Sequence, residues 1–313
     1  MSAPAIETRA LRKSYGAFVA VQGLDLTIAE GSVFGVLGPN GSGKTTTILM
    51  LMGLTELSGG SVRVLGLDPM RDPLRVKRLV GYMPDTVGFY DEMTATENLR
   101  YTGKLAGLRG EELDHRIVQV LARVRLADSA KKEVKTFSRG MRQRLGLAEV
   151  MLKKPRIAIL DEPTNGLDPQ STHEFLDMIR ELKADGLTIL LSSHLLDRVQ
   201  AVCDHVGLFH RGKMVLEGTI PELARQVLGG GYRITVQTGG GRDIAGVLRS
   251  IPGVNRVTEA GAGAFDLHAE EDVRAAVLAT TTKAGASLLG LAMVTPSLDD
   301  VYGEYFKEVP HAA

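Results

Sequence analysis

The segment Gly38-Pro39-Asn40-Gly41-Ser42-Gly43-Lys44-Thr45 fits the pattern G-x-x-x-x-G-K-[ST] and constrains the fold more than any other stretch of the chain. Glycines in such a loop let backbone N–H groups wrap phosphates at a helix N-terminus, while a lysine adds charge and a hydroxyl reaches magnesium. Lys44 and Thr45 take those two roles. The loop needs a strand before it and a helix after it. Ser32 to Leu37 reads as a buried, mostly apolar strand, and Thr46 to Met52 as a helix that ends at Gly53.

The rest of the first two-thirds continues this alternation. From Ala5 to about Leu228, short apolar strands alternate with helical segments, the pattern of an α/β domain with a largely parallel central sheet. The opening is richer in strands: Val19 to Ile28 and Ser61 to Leu65 flank the loop, and Gly59-Gly60 is expected to form a turn. Between Thr94 and Leu152 the strands stop. Thr94-Ala95-Thr96-Glu97 fits a helix-capping box, Glu111 to Val124 has amphipathic spacing, and Gly140 to Leu152 begins a third helix. A helical subdomain over about 86–153 is therefore expected inside the α/β core. Strands return at Ile157 to Leu160, Thr188 to Leu191 and Val206 to Phe209, with helices at Pro169 to Ala184 and Leu195 to Val202, and a hairpin turn at Arg211-Gly212.

Gly229-Gly230-Gly231 is the strongest linker signal and places a domain boundary at 228/229. The remainder reads as a small α+β unit in the order βαββαβ, closed by a helix from Ser297 to Lys307. Its strands are Tyr232 to Gln237, Val254 to Thr258, Phe265 to His268 and Ser287 to Met293; its helices lie near Asp243 to Ser250 and Glu270 to Ala284. His268 and His311 stand alone, and Glu270-Glu271 is expected to start a helix. No chemical constellation appears there.

Charge and cysteine content exclude several classes. Lysine plus arginine equals aspartate plus glutamate at 37 each, so no summed basic field favours nucleic acid as a partner. Cys203 is the only cysteine, which rules out an intramolecular disulfide and suits a reducing compartment. No apolar run approaches the roughly 20 residues needed to span a bilayer, and the first residues lack a secretory pattern. A cytoplasmic location is expected, with membrane association supplied by a partner.

The strand ending at Leu160-Asp161-Glu162-Pro163 brings two carboxylates to the sheet edge that bears the phosphate loop. Asp161 is suited to hold magnesium, and Glu162 to orient or deprotonate the water that attacks a γ-phosphate. With Phe137-Ser138-Arg139-Gly140-Met141, Gly166-Leu167-Asp168 and His194, these motifs resemble the ATP-binding subunit of an ABC transporter over Ala5 to about Leu228. The fold implied is a P-loop NTPase core of ABC type with an inserted helical subdomain, followed here by the small α+β domain.

The resemblance implies an ATP hydrolase whose site is shared between two subunits. Gly38, Asn40, Gly41, Gly43, Lys44, Thr45 and Thr46 would bind the ATP phosphates, and Tyr15 would stack on adenine. Ser138 and Gly140 would reach the γ-phosphate held by the partner subunit. Glu162 and His194 would be catalytic, Thr45, Asp85 and Asp161 would bind Mg2+, and Asp168 would contact the opposite subunit. Two departures stand out. Arg139 and Met141 replace the usual signature residues, and Asp85 stands where the family usually has glutamine.

The stretches around Tyr82-Met83-Pro84, Gly140 to Ala148 and Pro296 to Tyr302 are similar to subunits of drug, antibiotic and sodium exporters, and to the ATPase type that serves nitrous-oxide reductase assembly. The implied partners are a separately encoded membrane-spanning permease and a second ATP-binding subunit, most simply another copy of this chain. A soluble ABC ATPase acting on ribosomes or DNA is the alternative. That class generally carries two cores or a long coiled-coil insertion, and this sequence has neither.

Overall fold

The computed structural model describes residues 4–228, 232–240, 244–294 and 297–308. The chain divides into two compact units, Met1–Leu216 and Glu217–Ala313.

The first unit opens with two long strands, β1 (Ile6–Tyr15) and β2 (Phe18–Ile28), then β3 (Val33–Leu37), the phosphate loop and α1 (Lys44–Leu51). After β4 (Gly59–Val64), α2 (Pro73–Leu79) and β5 (Val80–Met83) comes a purely helical stretch with α3 (Ala95–Leu105), α4 (Gly110–Arg123) and α5 (Arg139–Leu152). The alternation then resumes through β6 (Ile157–Asp161), α6 (Pro169–Ala184), β7 (Thr188–Ser193), α7 (Leu196–Gln200), β8 (His205–His210) and β9 (Lys213–Gly218).

Two sheets result. β2, β1 and β4 form an antiparallel sheet, and a six-stranded sheet runs in the order β5-β6-β7-β3-β8-β9. From β5 to β8 the pairings of that second sheet are parallel. Every residue of β3, β6 and β7 is buried, as expected of parallel strands covered on both faces. Burying one such Val, Leu or Ile side chain contributes about 1.5–3 kcal/mol, so these three strands form the rigid floor of the unit. Because β7 lies between β6 and β3, three strand ends distant in sequence open side by side at one edge.

The capping box at α3 forms as its sequence predicts, with Thr94 Oγ1 accepting from the Glu97 N–H and the Glu97 carboxylate accepting from the Thr94 N–H. Gly59-Gly60 differs from its expectation. The pair begins β4, and the sheet register shifts there opposite β1. Gly60 has φ +78°, and a β-carbon on it would fall 2.3 Å from the Ala10 carbonyl oxygen, so the glycines accommodate an irregularity within paired strands.

The second unit contains α8 (Ile220–Leu228), β10 (Tyr232–Gly239), α9 (Ile244–Arg249), β11 (Val254–Gly261), β12 (Ala264–Ala269), α10 (Arg274–Lys283), β13 (Ser287–Val294) and α11 (Leu298–Glu308). Its antiparallel sheet has the order β11-β12-β10-β13, which with the βαββαβ sequence of elements is a ferredoxin-like arrangement. Ile234, Leu248, Leu267 and Val277 lie in its core. Arg233 on β10 bridges Asp266 at 2.8 Å and Asp300 of α11 at 2.9 Å.

The division between units falls ahead of 228/229, because α8 packs against α11 and belongs with the second unit. The Gly229-Gly230-Gly231 linker, Asp243 and His311 lie outside the described residues. Glu270-Glu271 also departs from expectation: α10 begins only at Arg274, and Glu270 instead donates its backbone N–H to the Gly253 carbonyl at 3.0 Å.

Candidate nucleotide site

Lys44 is the first residue of α1, and Gly43 before it caps the helix without a side-chain hydrogen bond. The first-turn N–H groups consequently face the loop and favour an anion there. The loop is braced on two sides. Gly38 donates its N–H to the Ser193 carbonyl at 3.2 Å, and Gly212, in the turn between β8 and β9, donates to the Ser42 carbonyl at 2.9 Å. Gly38 has φ +150°, and a β-carbon there would lie 2.3 Å from the Phe209 carbonyl oxygen, so this position admits only glycine without rearrangement. Asn40, Gly41 and Thr45 are exposed at the loop surface, while Thr46 is half-buried in α1.

The Lys44 ammonium is buried, with 5% of the residue exposed. It donates to the Gly38 carbonyl at 2.7 Å and the Pro39 carbonyl at 3.3 Å, and stands 3.2 Å from Glu162 Oε1. That last contact is ionic, not a directed hydrogen bond, since Oε1 accepts none. Glu162 Oε2 faces His194: it accepts from the backbone N–H at 3.2 Å and lies 2.8 Å from Nδ1. One carboxylate at the end of β6 thus joins the phosphate loop to the end of β7. Glu162 holds φ +50°, an uncommon conformation for a residue with a side chain, fixed here by partners on both sides.

Asp161, its neighbour, performs a different structural task. Its Oδ2 accepts from Thr45 Oγ1 at 2.9 Å, and its Oδ1 accepts from Ser192 Oγ. Ser192 also accepts the Glu162 backbone N–H at 3.0 Å. Asp161 and Ser192 are register partners across β6 and β7, which explains how a fully buried hydroxyl reaches both acidic residues. Ser192 carries no motif signal beyond its position two residues before His194. Only strand pairing reveals it.

Asp85 lies just past β5 and accepts a hydrogen bond from Asn165 Nδ2 at 3.2 Å. Tyr82 on β5 has its phenol pushed up to about 12, first by burial and then by the charges of Asp161 and Asp85. It stays a neutral hydroxyl at physiological pH. Tyr15 ends β1 opposite Phe18, half-exposed, with the Lys13 ammonium 4.8 Å from its ring centre. The same hairpin borders the loop further along, where a β-carbon on Gly43 would meet the Ala20 carbonyl oxygen at 2.6 Å.

The signature residues are built differently. Ser138 is the N-cap of α5 and accepts the Met141 N–H at 3.2 Å, with its side chain exposed. Gly140 is buried against Ser171, whose Oγ would lie 2.8 Å from an added β-carbon. Ser171 donates its backbone N–H and its hydroxyl to Asp168, the N-cap of α6, at 2.9 and 2.6 Å. Those bonds hold the Asp168 carboxyl below the usual range. No group of three or more His, Cys, Asp or Glu residues able to hold a metal occurs among the described residues.

A protein-family model described as ABC transporter matches residues 21–165. The linearmycin resistance ATP-binding protein LnrL of Bacillus subtilis is 33% identical over 306 residues, covering 95% of this chain and 96% of the relative. The chain belongs to the ABC transporter family. The bacitracin transport ATP-binding protein BcrA of Bacillus licheniformis is 40% identical over 213 residues, covering 68% of this chain and 69% of the relative. A solved ATP-binding subunit of an ABC transporter superposes with a TM-score of 0.64 at 32% identity, covering 71% of this chain and 92% of its own. This cassette is therefore an ATP hydrolase of the transport-coupled kind. The match with LnrL extends through the ferredoxin-like unit as well as the ATPase core.

Proposed function

We propose that this cassette powers export as one of two identical ATP-binding subunits, docked on the cytoplasmic face of the membrane through a separately encoded membrane-spanning permease. The observation that carries the reading is the Glu162 carboxylate shared between Lys44 and His194 at the mouth of the phosphate loop. Names of relatives that share the full length, such as the daunorubicin resistance ATP-binding protein DrrA3 of Streptomyces coeruleorubidus, support a toxic small molecule as cargo. No helix among the described residues is long and apolar enough to cross a membrane, in keeping with a permease on a separate chain.

In this reading the ATP phosphates occupy the loop from Gly38 to Thr46 and draw the Lys44 ammonium from Glu162 toward their own charge. Glu162, relieved of that pairing, accepts the proton of the attacking water, and His194 keeps the carboxylate aimed while its ring reaches toward the γ-phosphate. Thr45 Oγ1 and Asp161 Oδ2, 2.9 Å apart, are hard oxygen donors that would hold Mg2+, and Asp85 would add a third. The ion, when bound, neutralises charge on the phosphate oxygens. Tyr15 offers a ring to adenine. Ser138 and Gly140 present a hydroxyl and first-turn N–H groups at the α5 N-terminus to the γ-phosphate held by the second subunit, and Asp168 meets that subunit alongside them.

Affinity purification of the full chain from its own membranes tests the partner. A polytopic membrane protein should co-purify, and ATP hydrolysis should rise when the two are reconstituted together in vesicles. Recovery only with ribosomes or DNA would overturn the exporter reading.

A further inference from the structure

The beginning of α5 carries three arginines with unequal surroundings. Arg142 pairs with Asp91 at 2.8 Å and Arg144 with Glu174 at 3.6 Å. Arg139, between Ser138 and Gly140, is exposed and makes no ion pair or side-chain hydrogen bond with any described residue. A cation in the first turn opposes the helix dipole, so helix stability does not explain it. Its guanidinium lies instead against the backbone of Gly166: an added β-carbon there would fall 2.5 Å from Cζ, 2.6 Å from Nη1 and 2.9 Å from Nε. A β-carbon at Gly166 would push the flexible guanidinium aside, and at φ +67° glycine is also the residue the turn prefers.

Gly166 belongs to a short run of turns that starts at the catalytic carboxylate. Asn165 donates its backbone N–H to the Glu162 carbonyl at 3.0 Å, and Leu167 donates to Thr164 at 3.3 Å. Beside the Arg139 contact, Gly140 abuts Ser171, which is hydrogen-bonded to Asp168 at the end of the same loop. Two contacts therefore fasten the start of α5 to the segment between Glu162 and α6.

We infer that Arg139 is a positioning residue whose guanidinium, seated on Gly166, transmits engagement of the partner's nucleotide by Ser138 to this chain's own Glu162. The inference rests on the paired-site reading proposed above. Displacement of the α5 N-terminus on binding a γ-phosphate drags Gly166, and with it the turn that sets the angle of Glu162. Arg139 touches neither ATP nor water in this scheme.

A double-mutant cycle on the full chain tests the contact, read as the rate and Hill coefficient of ATP hydrolysis together with ATP affinity. Arg139→Ala should bring a Hill coefficient above one down to one while leaving ATP affinity unchanged. Arg139→Lys should not restore it, because an ammonium cannot lie flat on the glycine. Gly166→Ala, which displaces the guanidinium and also strains the turn at φ +67°, should lower the rate of ATP hydrolysis by a larger factor in the Arg139 background than in the Arg139→Ala background. Additive losses, or cooperativity that persists without Arg139, would overturn the coupling. Ser138→Ala separates the two levels. If it retains full hydrolysis, the paired-site reading falls and the coupling falls with it; if it loses hydrolysis while Arg139→Ala stays cooperative, the coupling alone falls.

Discussion

Two faces of this cassette, the phosphate loop and the start of α5, are built on opposite terms. At the phosphate loop, Lys44, Asp161, Glu162, Ser192 and His194 form one connected set of hydrogen bonds and ion pairs, sunk at the edge of a buried parallel sheet. At the signature helix, Ser138 is an exposed cap with a single intrachain bond, and Arg139 beside it lacks a charged partner among the described residues. Buried polar groups have to be satisfied within the fold, whereas exposed ones are free to be used by something else. The contrast shows that the first face is finished largely by its own chain, and it supports the proposal that the second serves a neighbour.

The largest effect should come from the finished face. Glu162→Gln is expected to lower ATP turnover by at least about 10²- to 10⁴-fold while nucleotide binding survives, and ATP should then hold the subunits as a dimer visible by light scattering. Undiminished hydrolysis would show that Glu162 is only the structural link between Lys44 and His194. Ser138→Ala probes the other face and should cost about 10²-fold in turnover through the lost γ-phosphate donor. The lost cap costs only about 1 kcal/mol of stability, so a large kinetic defect with a modest stability change keeps the two faces distinct. A deep stability loss with normal turnover would erase the distinction.

Stability measurements sharpen the same comparison. Ser192→Ala removes a donor to Asp161 and leaves the Glu162 N–H without its acceptor, so denaturant unfolding should show a loss of about 1–3 kcal/mol. The smallest effect is expected at Asp204, which accepts from the Val33 N–H at 2.9 Å and from Lys183, and so anchors the start of the strand that leads to the phosphate loop. Burial raises its carboxyl, but Lys183 and the Val33 N–H more than offset this and leave it below the usual range. A lowered native value gives stability that is present above the unfolded carboxylate range and lost as pH falls through the native value. The stability gap between wild type and Asp204→Asn should therefore narrow on acidification into that range; a gap that widens would contradict the assignment.

Much of the molecule is legible in the sequence alone. Period-2 and period-3.6 patterns located the strands and helices, since a chain must bury its apolar stripe against something, and the βαββαβ order of the second unit follows from the same signal. Local signals failed where a distant contact prevailed. Gly59-Gly60 looks like a turn, yet pairing with β1 draws it into a sheet. Glu270-Glu271 looks like a helix start, but the Glu270 N–H is taken by Gly253 and the helix begins later. α8 reads as the end of the first domain, and its packing on α11 assigns it to the second unit.

The sequence by itself determined that the chain has a phosphate loop between a strand and a helix, two carboxylates at a strand end and a serine at a helix start, because each motif needs only residues adjacent in the chain. Tertiary structure alone decided that β7 lies between β6 and β3, that Ser192 supports both acidic residues, and that Arg139 rests on Gly166. Those facts depend on strand order and close packing between segments far apart in sequence, and a local pattern carries no record of which distant backbone will come to lie beside it.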